Sequence, residues 1–202
     1  MCGIFGKINF GTKNAITEQE IKIPLDLMAH RGPDEEGIFL DRYAGLGIKR
    51  LKIIDVKGGR QPISNETGDI VIVYNGEIYN YLELREDLIK KGHRFKTKSD
   101  TEVILHSYEE FGCSCLEKLN GMFAFAIWDR KKEELFIARD YLGIKPLFYS
   151  IFNGSLYFAS EIKTILSDKS NPIPREIDPQ ALINSFSFYY VSSPWTIYKF
   201  IK

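Results

Sequence analysis

Apolar and polar positions along this chain repeat with two different periods, and the changes between them mark out its elements. Met1 to Phe10 carries β-branched and aromatic residues with Gly3 and Gly6 set among them, which predicts a short strand. Glycine inside a strand often marks close approach of another backbone or a ligand. Thr17 to Ala29 predicts a helix ending near the Arg31-Gly32-Pro33-Asp34 turn, and residues 36–40 and 44–49 predict strands. A loop with Gly58, Gly59 and Pro62 follows. Ile70 to Tyr74 is a continuous apolar run, the mark of a buried strand, and Asn75-Gly76 is expected to break it. Asn80 is placed to cap a helix over 81–91 that stops at Gly92. Ser99-Asp100-Thr101-Glu102 has the spacing of a capping box and opens a second helix over 101–111, closed by Gly112.

Met122–Trp128, Glu134–Ala138, Leu147–Phe152 and Ser155–Ala159 then predict four strands, with a primed hairpin turn at Asn153-Gly154. Phe123, Phe125 and Trp128 belong to the core on this reading. Glu161–Ser167 and Asp178–Tyr189 predict two last helices. Strands in hairpin-linked clusters with helices between them imply antiparallel sheets covered by helices, not a βαβ nucleotide fold. No GxGxxG or GxxxxGK[ST] phosphate loop is present.

Composition narrows the partners. Lys+Arg and Asp+Glu are both 27, so the formal net charge is +0. Nucleic acid and anionic membranes favour a basic excess, so neither is expected as a partner. No apolar run approaches the roughly 18–20 residues of a membrane span. The N-terminus lacks the pattern of a secretory leader, and the expected location is the cytoplasm. The 202 residues suit one domain, or one domain with a tail. Three cysteines, at 2, 113 and 115, argue against a disulfide framework. Cys113-x-Cys115 has no second Cys or His pair nearby, so no metal site is expected.

Cys2 carries the candidate chemistry. Removal of Met1 would leave a thiol and an α-amine on one residue. With an unperturbed pKa of about 7.7–8.0, that amine is a competent general base near neutral pH, and no histidine is needed. By position alone, Cys2 could equally be an ordinary small residue near the terminus.

Its neighbours change that. The run Cys2-Gly3-Ile4-Phe5-Gly6 resembles the start of the N-terminal-nucleophile, or class II, glutamine amidotransferases. The resemblance continues through His30-Arg31-Gly32-Pro33-Asp34, Arg50-Leu51, Gly59-x-Gln61-Pro62, Asn75-Gly76-Glu77-Ile78-Tyr79-Asn80 and Ser99-Asp100-Thr101-Glu102. Gly121-Met122-Phe123-Ala124-Phe125, Arg139-Asp140-x-x-Gly143-x-Lys145-Pro146-Leu147 and Phe158-Ala159-Ser160-Glu161-Ile162-Lys163 complete it. The match runs in order over almost the whole chain. The Arg-Gly-Pro-Asp and Asn-Gly-Glu-Ile-Tyr-Asn forms are similar to those of the glutamine-hydrolysing asparagine synthetases. The fold implied is α+β, a four-layer αββα sandwich of the N-terminal-nucleophile hydrolase type. The activity implied is hydrolysis of glutamine to glutamate and ammonia through a thioester on Cys2, as nitrogen donor for asparagine synthesis.

The resemblance also implies roles for particular residues. Asn75 and Gly76 would form the oxyanion hole: the Asn75 amide can donate, and Gly76 lets its N–H approach closely. Taken alone, Asn-Gly is equally a common turn pair. Arg50 would grip the glutamine carboxylate at two points, with Leu51, Lys52, Ile53 and Ile54 lining the pocket largely by backbone. Asp100 would pair with the ammonium, in company with Glu77. At the first helical position behind Ser99, an acid is also favoured by the helix dipole.

Asparagine synthetases carry a second, larger domain marked by a Ser-Gly-Gly-x-Asp-Ser loop that binds ATP, and no such run occurs here. ATP and magnesium are expected only in such a separate domain, and no cofactor is expected in this chain. Residues 2–168 are expected to form the glutaminase domain, and 169–202 an extension leading toward an absent synthetase domain. The chain is on this reading an isolated glutaminase domain, a truncated gene product or half of a two-gene enzyme. Its partners would be glutamine and a synthetase domain or subunit that takes the ammonia, and a homodimer is admitted. A catalytically silent or regulatory glutamine-binding remnant, and a glutaminase subunit of another amide-transfer enzyme, are the alternatives.

Overall fold

The computed structural model describes all of residues 1–202. Nine strands form two antiparallel sheets. In chain order the elements are β1 (Gly3–Ile8), α1 (Glu18–Asp26), β2 (Glu35–Asp41), β3 (Ala44–Arg50), β4 (Ile63–Ser64), β5 (Ile70–Ile78), α2 (Tyr81–Lys90) and α3 (Asp100–Phe111). After a 3₁₀ turn over Gly112–Lys118 come β6 (Gly121–Asp129), β7 (Glu134–Arg139), β8 (Phe148–Phe152), β9 (Ser155–Ala159), α4 (Ile162–Ile165) and α5 (Pro179–Phe188). One sheet has the order β2-β3-β1-β9-β8 and the other β4-β5-β6-β7.

Alternation along the strands explains the layering, because successive side chains point to opposite faces. Ile4, Ile8, Leu46 and Ile48 of the first sheet meet Val71, Val73, Ala124, Ala126 and Trp128 of the second in one cluster. Ile72, Tyr74, Phe125 and Ile127 turn the other way and pack on Ile104, Leu105 and Tyr108 of α3. Phe5, Tyr157 and Ala159 pack outward on Ile21 and Leu25 of α1 and Ile165 of α4. Each central strand is therefore buried on both faces, which is why β5 reads as an unbroken apolar run. The result is a four-layer αββα sandwich. No helix is long and apolar enough to cross a membrane.

The structure corrects several local expectations. Asn75-Gly76 does not break β5: the strand continues to Ile78, with Asn75 opposite Ala124 and Gly76 opposite Phe123. Pairing with β6 outweighs the turn preference of Asn-Gly. A Cβ on Gly76 would lie 2.3 Å from the Met122 carbonyl oxygen, so only glycine fits this register. Asn80 stands at the start of α2 but caps nothing; its side chain instead donates to the Lys118 carbonyl and accepts from the Asn120 N–H. Ser99 does cap α3, accepting from the Thr101 N–H, but Glu102 does not complete a capping box and turns toward Lys96 and Thr97. The short strand β4 after Pro62 and the 3₁₀ turn holding Cys113 and Cys115 carry no sequence signal strong enough to predict them. Asn153 (φ 45°) and Gly154 (φ 74°) form the expected primed turn.

Beyond Asp168 the chain folds back on the sandwich. Asp178 caps α5 through the N–H groups of Gln180 and Ala181. Ile173, Ala181 and Ile201 are buried. The Lys202 N–H donates to the Tyr149 carbonyl at 2.9 Å and the Tyr149 N–H to the Lys202 carbonyl at 2.8 Å, against the open side of β8.

Candidate active site

Cys2 leads into β1, Arg50 ends β3, Asn75 to Glu77 lie in the last part of β5, and Asp100 opens α3. These ends converge on one cavity of the sandwich. Cys2, Arg50, Leu51, Ile53, Ile54, Asn75, Gly76, Glu77 and Asp100 line a single cavity there. Lys52 does not line it: its N–H donates to Asp34 at 2.9 Å and its ammonium lies 3.7 Å from Glu35. Five further lining residues, Gln61, Ser99, Thr101, Met122 and Lys145, stand in the sequence only as motif members. Tyr74 was read as core, and nothing in the sequence set it apart.

The Cys2 thiol is held by the backbone of one residue, Leu51. The Leu51 N–H points at Sγ from 3.4 Å, and the Leu51 carbonyl lies 3.6 Å from the same sulfur. Burial pushes the thiol above its ordinary range, and the Leu51 N–H pulls it back in part. A buried thiol of this kind is protonated at neutral pH and needs a base before it can attack. No histidine lines the cavity. His30 is paired with Glu161 at 2.9 Å, and His106 lies against Glu109 on α3. The Cys2 carbonyl accepts from Arg31 Nε at 3.0 Å, and Arg31 is anchored in turn by Glu161 at 3.2 Å.

Opposite charges stand on two sides of the cavity. Arg50 is buried, with Nη1 on Glu35 at 3.0 Å and Nη2 on the Ile54 and Asp55 carbonyls at 3.0 and 3.1 Å. Glu35 was not anticipated as its counter-ion. Asp100 is also buried; its Oδ2 accepts from the Tyr74 hydroxyl at 2.8 Å and the Ile78 N–H at 3.1 Å. Burial raises the Asp100 carboxyl above its ordinary range, and the two hydrogen bonds offset part of that rise. Gln61 braces this wall, accepting from the Tyr74 N–H at 2.8 Å and donating to Thr101 Oγ1 at 3.2 Å.

The same cavity wall holds an unused donor. Asn75 is only 1% exposed, and its Nδ2 has no hydrogen-bond partner. A buried orphan donor costs about 1–3 kcal/mol of stability, so its place in a pocket wall calls for an acceptor that arrives with a ligand. Met1 also lines the cavity and lies over Lys145, whose Nζ is 3.5 Å from the Met1 sulfur.

The sequence of the glutamine amidotransferase domain family matches residues 1–202. The chain belongs to that family. Glutamine-hydrolysing asparagine synthetase 1 of Bacillus subtilis is 45% identical over the whole chain, which covers 32% of that protein. Asparagine synthetase B of Escherichia coli is 44% identical over 82% of the chain and 30% of its own length. A putative asparagine synthetase of Methanocaldococcus jannaschii is 40% identical over 98% of the chain and 41% of its length. The chain thus spans about a third of the length of most of these relatives. A solved glutamine phosphoribosylpyrophosphate amidotransferase from B. subtilis superposes with a TM-score of 0.69 at 23% identity, over 88% of this chain and 46% of that one. The fold it shares is the N-terminal-nucleophile hydrolase sandwich.

Proposed function

We propose that this chain hydrolyses glutamine to glutamate and ammonia through a thioester on Cys2, with the ammonia serving asparagine synthesis. The observation that carries this reading is the orphan Asn75 Nδ2, set in the same cavity as a half-buried thiol, the Arg50 cation and the Asp100 carboxyl. Glutamine matches that arrangement: its carboxylate is suited to Arg50, its ammonium to Asp100 and Glu77, and its amide lies toward Cys2.

The chemistry then follows in balanced steps. With Met1 removed, the Cys2 α-amine takes the thiol proton as sulfur attacks the amide carbon. The oxyanion that forms is held by Asn75 Nδ2 and the Gly76 N–H. The C–N bond breaks, the ammonium returns its proton to the leaving nitrogen, and ammonia departs. Water, deprotonated by the same amine, attacks the thioester, releasing glutamate and restoring the thiol. These steps use no metal or cofactor. ATP and magnesium belong to the synthetase domain or subunit that accepts the ammonia. The expected location is the cytoplasm, with no nucleic-acid partner.

The test is ammonia and glutamate release from glutamine by the purified chain, with loss of Met1 verified by mass spectrometry. Equimolar products from wild type and none from Cys2→Ala support the reading. Equal rates from the two proteins overturn it.

A further inference from the structure

On the outer side of α3, away from the cavity, Glu102 is 2% exposed and accepts three hydrogen bonds from one loop. Its partners are the Lys96 N–H at 2.8 Å, the Thr97 N–H at 2.7 Å and the Thr97 hydroxyl at 2.6 Å. A glutamate at this helical position would ordinarily reach back to the cap residue. Here it has been taken from local capping to hold residues 96 and 97, a departure from the local rule that calls for a reason.

His106 sits one turn further along α3 and is 1% exposed. Its Nε2 lies 3.7 Å from Glu102, and its Nδ1 lies 2.6 Å from Glu109. Asn65 holds Glu109 from the other side at 2.7 Å. The loop wraps the ring, with Phe95 edge-on at 4.6 Å and His93 at 4.9 Å between centroids. Other charges facing this cluster are Glu66, which acts on His106 through space, Glu110, which lies 3.4 Å from His93 and 2.7 Å from Lys91, and Arg85 of α2, which donates to the Thr97 carbonyl at 2.8 Å and lies over the Phe95 ring at 4.1 Å. The carboxylates raise His106 to about 9 against the opposing effect of its burial. The imidazolium in turn helps to hold Glu102 down at about 2.

The strapped loop leads to both charges of the pocket. The Lys98 N–H donates to the Asp55 carboxylate at 2.8 Å, and the Asp55 carbonyl accepts from Arg50 at 3.1 Å. The Ser99 N–H donates to the Thr97 hydroxyl at 3.1 Å, and Ser99 caps the turn that presents Asp100.

We propose that the buried Glu102–His106 pair is a positioning device for glutamine, strapping residues 93–98 so that Arg50 and Asp100 stand at fixed places. The proposal rests on the glutaminase reading and concerns substrate binding rather than the bond-making steps. Neither residue touches the cavity. The charge on His106 places a cation 3.7 Å from the buried Glu102 carboxylate and balances it. Loss of that charge loosens the loop and, through Lys98 and Ser99, the two grips on the substrate.

The test measures glutamine KM and kcat for wild type, Glu102→Gln and His106→Gln between pH 6.5 and pH 10, with hydrogen exchange of the loop amides. At pH 7.5 KM should rise about tenfold in both variants while kcat stays within about twofold, the sign of lost uniform binding. The ratio of the His106→Gln KM to the wild-type KM should fall toward one near pH 10, where wild-type His106 is also neutral. Titration of the substrate ammonium cancels in that ratio. The Lys96 and Thr97 amides should lose protection in both variants while those of β5 and β6 keep theirs. A ratio that is flat with pH, a loss confined to kcat, or unchanged exchange at Lys96 and Thr97 overturns the proposal. Exchange needs no turnover, so a wild type that releases no ammonia would refute the glutaminase reading while the exchange result still judges the strap.

Discussion

The backbone of Leu51 meets the Cys2 sulfur with both its polar groups, the N–H at 3.4 Å and the carbonyl at 3.6 Å. The N–H stabilises a thiolate once formed, and the carbonyl orients the thiol hydrogen beforehand. The sulfur is thereby aimed but not ionised, since burial holds its pKa up. Activation must come from a base, which the proposed mechanism finds in the α-amine of the same residue. A preparation that retains Met1 should therefore be folded by circular dichroism yet release no ammonia, because an amide nitrogen has no basic lone pair. Removing Met1 with an aminopeptidase should restore turnover. Full activity with Met1 confirmed in place by mass spectrometry would exclude the amine as base.

The two halves of the pocket should separate kinetically. Asn75→Ala removes the orphan donor and is expected to lower kcat by roughly 10²–10³ with little change in KM. Arg50→Ala should instead raise KM strongly, since a charged partner worth about 1.5–3 kcal/mol is lost. Steady-state kinetics on both variants decides. An Asn75→Ala enzyme with altered KM and unchanged kcat would remove Asn75 from the oxyanion hole.

Asp100 should trade stability for binding. Its pKa is raised above 3.8 in the folded chain, so it destabilises the fold at neutral pH, a cost relieved as pH falls. Protonation also removes the anion that faces the substrate ammonium. Glutamine KM should therefore climb as pH drops into the mildly acidic range. Asp100→Asn should show a high KM without that climb, and a Tm no lower than wild type. A variant Tm well below wild type would mean that Asp100 is chiefly structural.

Acid stability should depend on a different cluster. Lys7 is buried with its ammonium 2.6 Å from both Glu20 and Asp168, and it helps to hold Asp168 down at about 2. A depressed carboxylate stabilises the fold above its unfolded pKa, and that contribution is lost as pH falls from 3.8 toward 2. Lys7→Met strands two carboxylates and should cost about 3–5 kcal/mol, or roughly 10 °C in Tm at neutral pH. Thermal melts at pH 7 and pH 3 should show the gap between variant and wild type narrowing in acid.

Gly76→Ala tests the register of β5. The added methyl would meet the Met122 carbonyl at 2.3 Å and the Phe123 Cα at 2.7 Å, both backbone atoms. Because backbone cannot give way cheaply, a loss of about 1–3 kcal/mol is expected, together with a displaced Asn75 amide and reduced kcat. Unchanged Tm and kcat would show that the β5–β6 pair relaxes there at little cost.

Strands with strict alternation or continuous apolar runs were readable from sequence because their burial is a property of the local pattern. β5, β6 and β9 are of this kind. The layering was not readable that way: Ile72 and Val73 are equally apolar, and only the assembled sheets reveal that they face different layers. Cys2, Arg50, Asn75 and Asp100 came from motif order, and one cavity collects them. Glu35, Tyr74 and the Glu102–His106 pair escaped notice because their work lies in contacts between segments far apart in the chain. Asn80 misled for a related reason: its side chain has two choices, the helix it precedes and the loop at Lys118–Asn120. Only the tertiary fold decides between them.

The seam between Tyr149 and Lys202 bears on how copies of this chain could pair. β8 is the outermost strand of its sheet, and bare edge strands invite pairing with other molecules. Tyr149 and Ile151 would present apolar side chains along such an edge. Residues 200–202 close it, with Ser150 also donating to the Phe200 carbonyl at 2.6 Å. Residues 200–202 thus act as a guard rail along β8, and a chain without them would leave that edge open to pair with another strand.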